Sequence, residues 1–285
     1  MFAITLISKV LIPRRFSVNC LTPIITETNG LIIHSTHSDE YSAMSHAPRK
    51  TAIAKLFAPY LPQAHNHGVG VRAAAHLLVN IDPYPGMDEG DLIELFWDGC
   101  YVASKLLSKS DIGYTVVLRV PESFLQTGTI KTCYRVMKVG GTPITSPSRK
   151  LRVKLDVPGG QLLTLSDEEN QGLAPVSLPE NVIRYGMISR YAKTGMPLGI
   201  EPYLNMAPND EITLRWGDMR MDLPLLKAEN VGKAVSLIVP PSLILEAGRE
   251  QQLDVTYCII DRVGNNSRWA PAREICVNIQ SNRCQ

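Results

Sequence analysis

No run of apolar residues in this chain approaches the roughly 18 that a membrane-spanning helix requires, so no transmembrane segment is expected. No Cys-x-x-Cys pair is present to suggest zinc or thiol redox chemistry, and no G-x-S-x-G context to suggest an activated serine. An excess of charge is missing too. Lys and Arg total 29 against 27 Asp and Glu, a formal net charge of +2, and no basic stripe is interleaved with aromatics, so nucleic acid is not an expected partner. Also absent is any long segment with a 3.6-residue apolar period, which the crossover helices of a parallel α/β fold would need.

What is present is alternation, broken at short intervals by Gly, Pro and Asn, the pattern of half-buried strands. The chain also repeats itself. At a shift of 119 residues Pro83-Tyr84 falls on Pro202-Tyr203, Met87 on Met206 and Asp91 on Asp210. Ile93, Leu95 and Trp97 fall on Ile212, Leu214 and Trp216. From Leu77 to Pro121, 15 of 45 ungapped positions are identical, where chance supplies about 3. Beyond Pro121 the shift grows by a few residues: Tyr134 matches Tyr257, Pro147 Pro271 and Arg149 Arg273. The chain is a duplication of a unit of about 100 residues, the size of an immunoglobulin-like sandwich.

Period-two alternation gives the inward sets. In the first unit they are Leu77, Val79 and Ile81; Ile93, Leu95 and Trp97; Val116, Leu118 and Val120; Ile130, Tyr134 and Val136; Leu151, Val153 and Leu155. In the second they are Met196, Leu198 and Ile200; Ile212, Leu214 and Trp216; Val235, Leu237 and Val239; Leu253, Val255, Tyr257 and Ile259; Ile275, Val277 and Ile279. A first strand near Phe57 or Val176 and a short one near Leu106 or Leu225 complete about seven strands per unit. The fold class is therefore all-β: two tandem immunoglobulin-like β-sandwiches, 56–156 and 173–280. A turn-rich acidic linker (157–172) joins them and a short tail (281–285) follows.

Residues 1–55 have no counterpart in the repeat and are expected to be a mostly disordered extension, with Met44 as an alternative start. Lys9 interrupts their apolar run, and Arg14 and Arg15 follow it instead of preceding it, the reverse of a secretory signal. A cytoplasmic location is therefore expected ahead of an extracellular or cell-surface one.

An apolar strand, Pro-Tyr, Met, Asp, Ile-x-Leu-x-Trp, then Val-Pro and a tyrosine-bearing strand resembles the bacterial Ig-like repeats of large repeat and adhesin-type proteins. The stretch Val255–Ser267, with its closing strand, is similar to the last hairpin of such modules. The first copy departs there, with Val136–Ser146 in place of the Asp-Arg-x-Gly-Asn loop. The resemblance implies repeated spacer or adhesive modules.

Each residue with chemical potential has a structural reading beside it. Trp97 and Trp216 are read as core residues, not ligand platforms. Gly68–Ala73 fits G-x-G-x-x-A, but leads into a strand outside any βαβ unit and is read as a flexible loop. His46, His65, His67 and His76 lack the Cys or carboxylate partners of a closed metal site. Cys258 and Cys276, both outward on the last two strands, are expected to face one another as free thiols. The loop carrying Asp261, Arg262, Asn265 and Asn266 is the candidate contact loop, against a plain Gly-Asn turn as the structural reading. No catalytic, cofactor or metal residue is assigned. The chain reads as a non-catalytic binding or spacer protein whose partner is another protein or a surface glycan. The alternatives are an accessory module of an enzyme or secreted complex and a small enzyme with dispersed residues.

Overall fold

The computed structural model describes residues 55–277 apart from 67, 163–167, 187–189 and 249. The N-terminal extension with Met44 and His46 lies outside these residues, as do His67, Ile279 and the C-terminal tail.

In the first module the strands are β1 (Gly68–Val69), β2 (Leu78–Ile81), β3 (Leu92–Trp97), β4 (Cys100–Leu106), β5 (Val116–Arg119), β6 (Gly128–Met137), β7 (Ile144–Thr145) and β8 (Arg149–Val153). One sheet runs β1-β8-β6-β3-β4, with β7 on β6, and the other is β2-β5. A bridge from Tyr60 to Asn80 ties the entering chain to β2. In the second module β9 (Met196–Ile200) pairs with β12 (Val235–Val239). Its other sheet runs through β11 (Met219–Asp222), β10 (Glu211–Trp216), β13 (Glu250–Ile260) and β14 (Asn266–Trp269), with β15 (Arg273–Val277) also on β13. A bridge from Ser177 to Gly199 takes the place of Tyr60–Asn80. Apart from β1, which has no counterpart among the described residues of the second module, the two strand orders are the same, and both are those of an immunoglobulin-like sandwich.

The alternation places the core. Described members of the inward sets are buried, except that Leu155, Val235 and Leu237 are only half-buried. They gather into two clusters, one from Leu56 to Val153 and the other from Leu173 to Val277. Trp97 and Trp216, 2% and 0% exposed, stand at the same place in each. Burying a side chain such as Leu or Ile contributes about 1.5–3 kcal/mol, so each cluster is a substantial core. The matched arginines tie down the entering strand: Arg149 Nε donates to Pro59 O (2.6 Å) and Arg273 Nε to Val176 O (3.0 Å).

Several expectations change in detail. Phe57 is exposed, and its neighbour Leu56 fills the core instead. Thr132 is an inward member of β6 that an apolar pattern passes over; its hydroxyl donates to Phe96 O (3.0 Å). The strands expected near Leu106 and Leu225 are β4 and β11, and the buried residues are Leu107 and Leu226. Each follows a two-residue hairpin turn, Asp98-Gly99 (φ 50° and 84°) and Gly217-Asp218 (φ of Gly217 58°), and an Asp-Gly or Gly-Asp pair between apolar strands is a hairpin signal in itself.

The facing of Cys258 and Cys276 is overturned. The two would face one another only if the hairpin reversed at Ser267, midway between them; it reverses around Val263-Gly264, so Cys258 lies opposite Trp269. Moving a turn centre by one residue moves the partner by two. Cys276 accordingly falls opposite 251–252, between the Leu253–Ile275 and Glu250–Val277 pairs, about 20 Å along the strand from Cys258. Cys258 is a free thiol, but Cys276 is disulfide-bonded, as is Cys100.

Candidate functional site: the junction between the modules

The richest polar constellation among the described residues lies where the second module's end loops meet the first module. Its frame is the loop after β13. Asp261 Oδ1 accepts hydrogen bonds from Val263 N (3.0 Å) and Asn265 N (2.9 Å), and Asp261 N donates to Asn265 O (3.0 Å). These bonds, with Gly264 at φ 85°, make the five residues a self-braced turn. It presents Val263 and Asn265 as fixed groups.

Both reach the first module. Asn265 Oδ1 accepts from Val71 N (2.7 Å), while its Nδ2 donates to Lys154 O (2.9 Å) and Asp261 Oδ2 (3.0 Å). Val263 is buried yet belongs to neither core. It sits against Gly68, where a Cβ would lie 2.3 Å from Val263 Cγ1. At Gly70 a Cβ would lie 2.3 Å from Asn265 Oδ1. The G-x-G of Gly68–Ala73 is thus explained by close backbone approach. It is not the flexible loop read from sequence: Gly68-Val69 pair in parallel with β8, and Val71–Ala74 form one helical turn.

Charge completes the junction. Lys154, just past β8, places Nζ 2.8 Å from Asp261 Oδ2, with side chains 15% and 1% exposed. Nearby is Asp210, also buried, which accepts from Tyr203 OH (2.8 Å) and Ala207 N (2.9 Å) through Oδ2. Its Oδ1 has no hydrogen-bond partner among the described residues. Burial raises the Asp210 pKa; the bonds from Ala207 and Tyr203 and the charge of Lys154 oppose that rise, and the charge of Asp261 adds to it. Tyr203 is pushed above the ordinary phenol range, first by its own burial and then by the Asp210 charge.

The described flanks of the expected linker are packed here as well. Gly159 N donates to Leu204 O (2.8 Å), Asn205 Nδ2 to Val157 O (2.9 Å) and Asn170 Nδ2 to Ser267 O (3.0 Å). Of the candidate contact loop, then, Asp261 and Asn265 are buried in the junction. Arg262 is exposed, and so is Asn266, whose Oδ1 accepts from Arg268 N (2.7 Å). Of the histidines, His65 packs beside Gly264 and His76 is exposed. Sequence reading missed Lys154 and Asp210, although one signal was available: Lys138 of the first copy aligns with Asp261 of the second.

No protein family matches the chain, and no curated protein matches it. Among solved structures it is similar to part of a 1.5-MDa bacterial ice-binding adhesin, at 11% identity over 81% of this chain and 67% of that one, with a TM-score of 0.32. It is also similar to a tetra-tandem repeat from the extending region of a large adhesion protein, at 14% identity over 73% of this chain, with a TM-score of 0.32. The chain spans about half, 47%, of that fragment. A third similar structure holds the fibronectin(III)-like modules of Clostridium thermocellum CbhA, at 9% identity over 77% of this chain and 94% of that one, with a TM-score of 0.38. The fold assignment rests on the strand order of each module.

Proposed function

We propose that the chain is a non-catalytic binding or spacer unit in which the two sandwiches are held in one fixed relation. The observation that carries this reading is the buried Lys154–Asp261–Asn265 network. Its groups are consumed by one another and by backbone, with donors and acceptors matched across the two modules. A flexible tether would leave the module ends solvated, whereas here Val263 and Asp261 are buried between them. On this reading the faces of the sandwiches, carried at a set angle, meet a protein or glycan partner, and Arg262 stands exposed beside the junction as a contact residue.

Backbone ¹⁵N relaxation on the full chain tests the reading. One rotational correlation time shared by 77–153 and 196–277 is the expected result. Two distinct, shorter times would mean independently tumbling modules and would overturn the fixed spacer.

A further inference from the structure

The duplication supplies an internal control for the junction. Asp91 of the first module is the counterpart of Asp210, held in the same way by Tyr84 OH (2.9 Å) and Asp88 N (3.1 Å). Its counter-charge comes from its own module: Lys138 Nζ lies 3.2 Å from both Asp91 oxygens and donates to Gly86 O. Strand register fixes the correspondence. Tyr134 stands opposite Leu95 as Tyr257 stands opposite Leu214, so the position of Lys138 is occupied by Asp261 in the second module. There the cation has been replaced by a second acid. Lys154 of the first module fills the gap, and its Nζ also reaches Asn205 O (3.4 Å), the carbonyl equivalent to that of Gly86.

We infer that this position decides whether the end of a module is closed on itself or open to a preceding module. Lysine, as at 138, neutralises the buried aspartate from within. Aspartate, as at 261, turns the same end into a socket for a lysine at the close of another sandwich's last strand. The glycine pair Gly68 and Gly70 lets that partner's backbone approach. The kind of partner the socket fits is therefore another β-sandwich with this Lys and Gly-x-Gly pair. The corresponding end of the first module, filled by Lys138, does not accept one in this way. The groups facing Asp210 are Tyr203 from its own loop, Asp261 from the loop after β13 and Lys154 from the first module.

This inference rests on the fixed-spacer reading, and the test separates the two. In the full chain, Asp261→Lys recreates the first module's arrangement. The two modules should then acquire separate correlation times, while the second module still unfolds in one cooperative urea transition. Because Lys at 261 also removes the turn bonds that Asp261 Oδ1 accepts, a second measurement is needed that loop damage alone would not move. Asp210→Asn should leave stability at pH 7 unchanged or raised in the natural background, and lower it in the Asp261→Lys background, where Asp210 has become the partner of a lysine. An Asp210→Asn effect of the same sign in both backgrounds overturns the inference, and so does a junction that survives Asp261→Lys. Separate correlation times in the unmodified chain would instead overturn the spacer reading.

Discussion

Lys154 of the first sandwich and Asp261 of the second form an ion pair at 2.8 Å from which water is largely excluded. Such a pair stands or falls as a unit. The attraction of two buried charges roughly offsets the cost of taking them out of water, but removing one partner leaves the other uncompensated, at about 3–5 kcal/mol.

A double-mutant cycle measures this coupling. Lys154→Met and Asp261→Asn are suitable, since Asn retains an oxygen for the bonds from Val263 N and Asn265 N. Each single variant should be clearly destabilised in urea unfolding, with the double variant recovering about 1–3 kcal/mol of the summed loss. Additivity within about 0.5 kcal/mol would show that the two charges do not act together.

The glycines of the first module give a steric test of the same contact. A methyl group at Gly70 would meet Asn265 Oδ1 at 2.3 Å, so Gly70→Ala must push the contact loop away. At Gly128, by contrast, an added Cβ has nothing within 4 Å and φ lies outside the left-handed region. Gly70→Ala should therefore broaden the distance distribution seen by small-angle X-ray scattering while Gly128→Ala leaves it unchanged. Equal profiles for the two variants would remove the junction's dependence on close backbone approach.

The contrast between core and junction explains what the sequence made legible. Trp97, Tyr134 and Ile93, like their counterparts in the second copy, could be placed because a half-buried strand imposes a period of two on its apolar residues. Thr132 breaks that pattern, since its burial depends on a bond to Phe96 O that periodicity does not encode. The hairpin holding Asp261 turns around Val263-Gly264, short of the midpoint between Cys258 and Cys276, because turn centres depend on local hydrogen bonds and positive φ, which alternation does not encode. The contact loop itself was legible as turn chemistry. That it docks on Val71 and Lys154 was not, because those residues lie 194 and 111 positions from Asn265.

The paired tryptophans test the core assignment. Truncation of Trp97 or Trp216 to Ala should cost about 3–5 kcal/mol through lost burial and the cavity left behind. Replacement by Phe should cost distinctly less. In both modules the indole N–H is buried without an acceptor among the described residues, and removing an unsatisfied donor recovers about 1–3 kcal/mol of desolvation penalty. Chemical denaturation of the four variants decides the matter, and Phe variants as unstable as the Ala variants would mean that the N–H is satisfied.

Asp210 gives the junction a pH dependence of defined sign. Its carboxyl is raised above the ordinary 3.8, with burial as the main cause, so the folded chain holds this proton at pH values where the unfolded chain has released it. Stability from this group is fully present below the unfolded value and declines as pH rises through the folded one. Asp210→Asn cannot ionise and keeps an acceptor for Tyr203 OH and Ala207 N. Wild type and variant should therefore differ by a constant offset below about pH 4, with the variant gaining on the wild type as pH rises above that. Urea unfolding at a series of pH values from 3 to 8 follows the difference directly. A gap that stays flat, or that moves toward the wild type with rising pH, would mean that Asp210 is ionised in the fold and that Lys154 neutralises both acids at once.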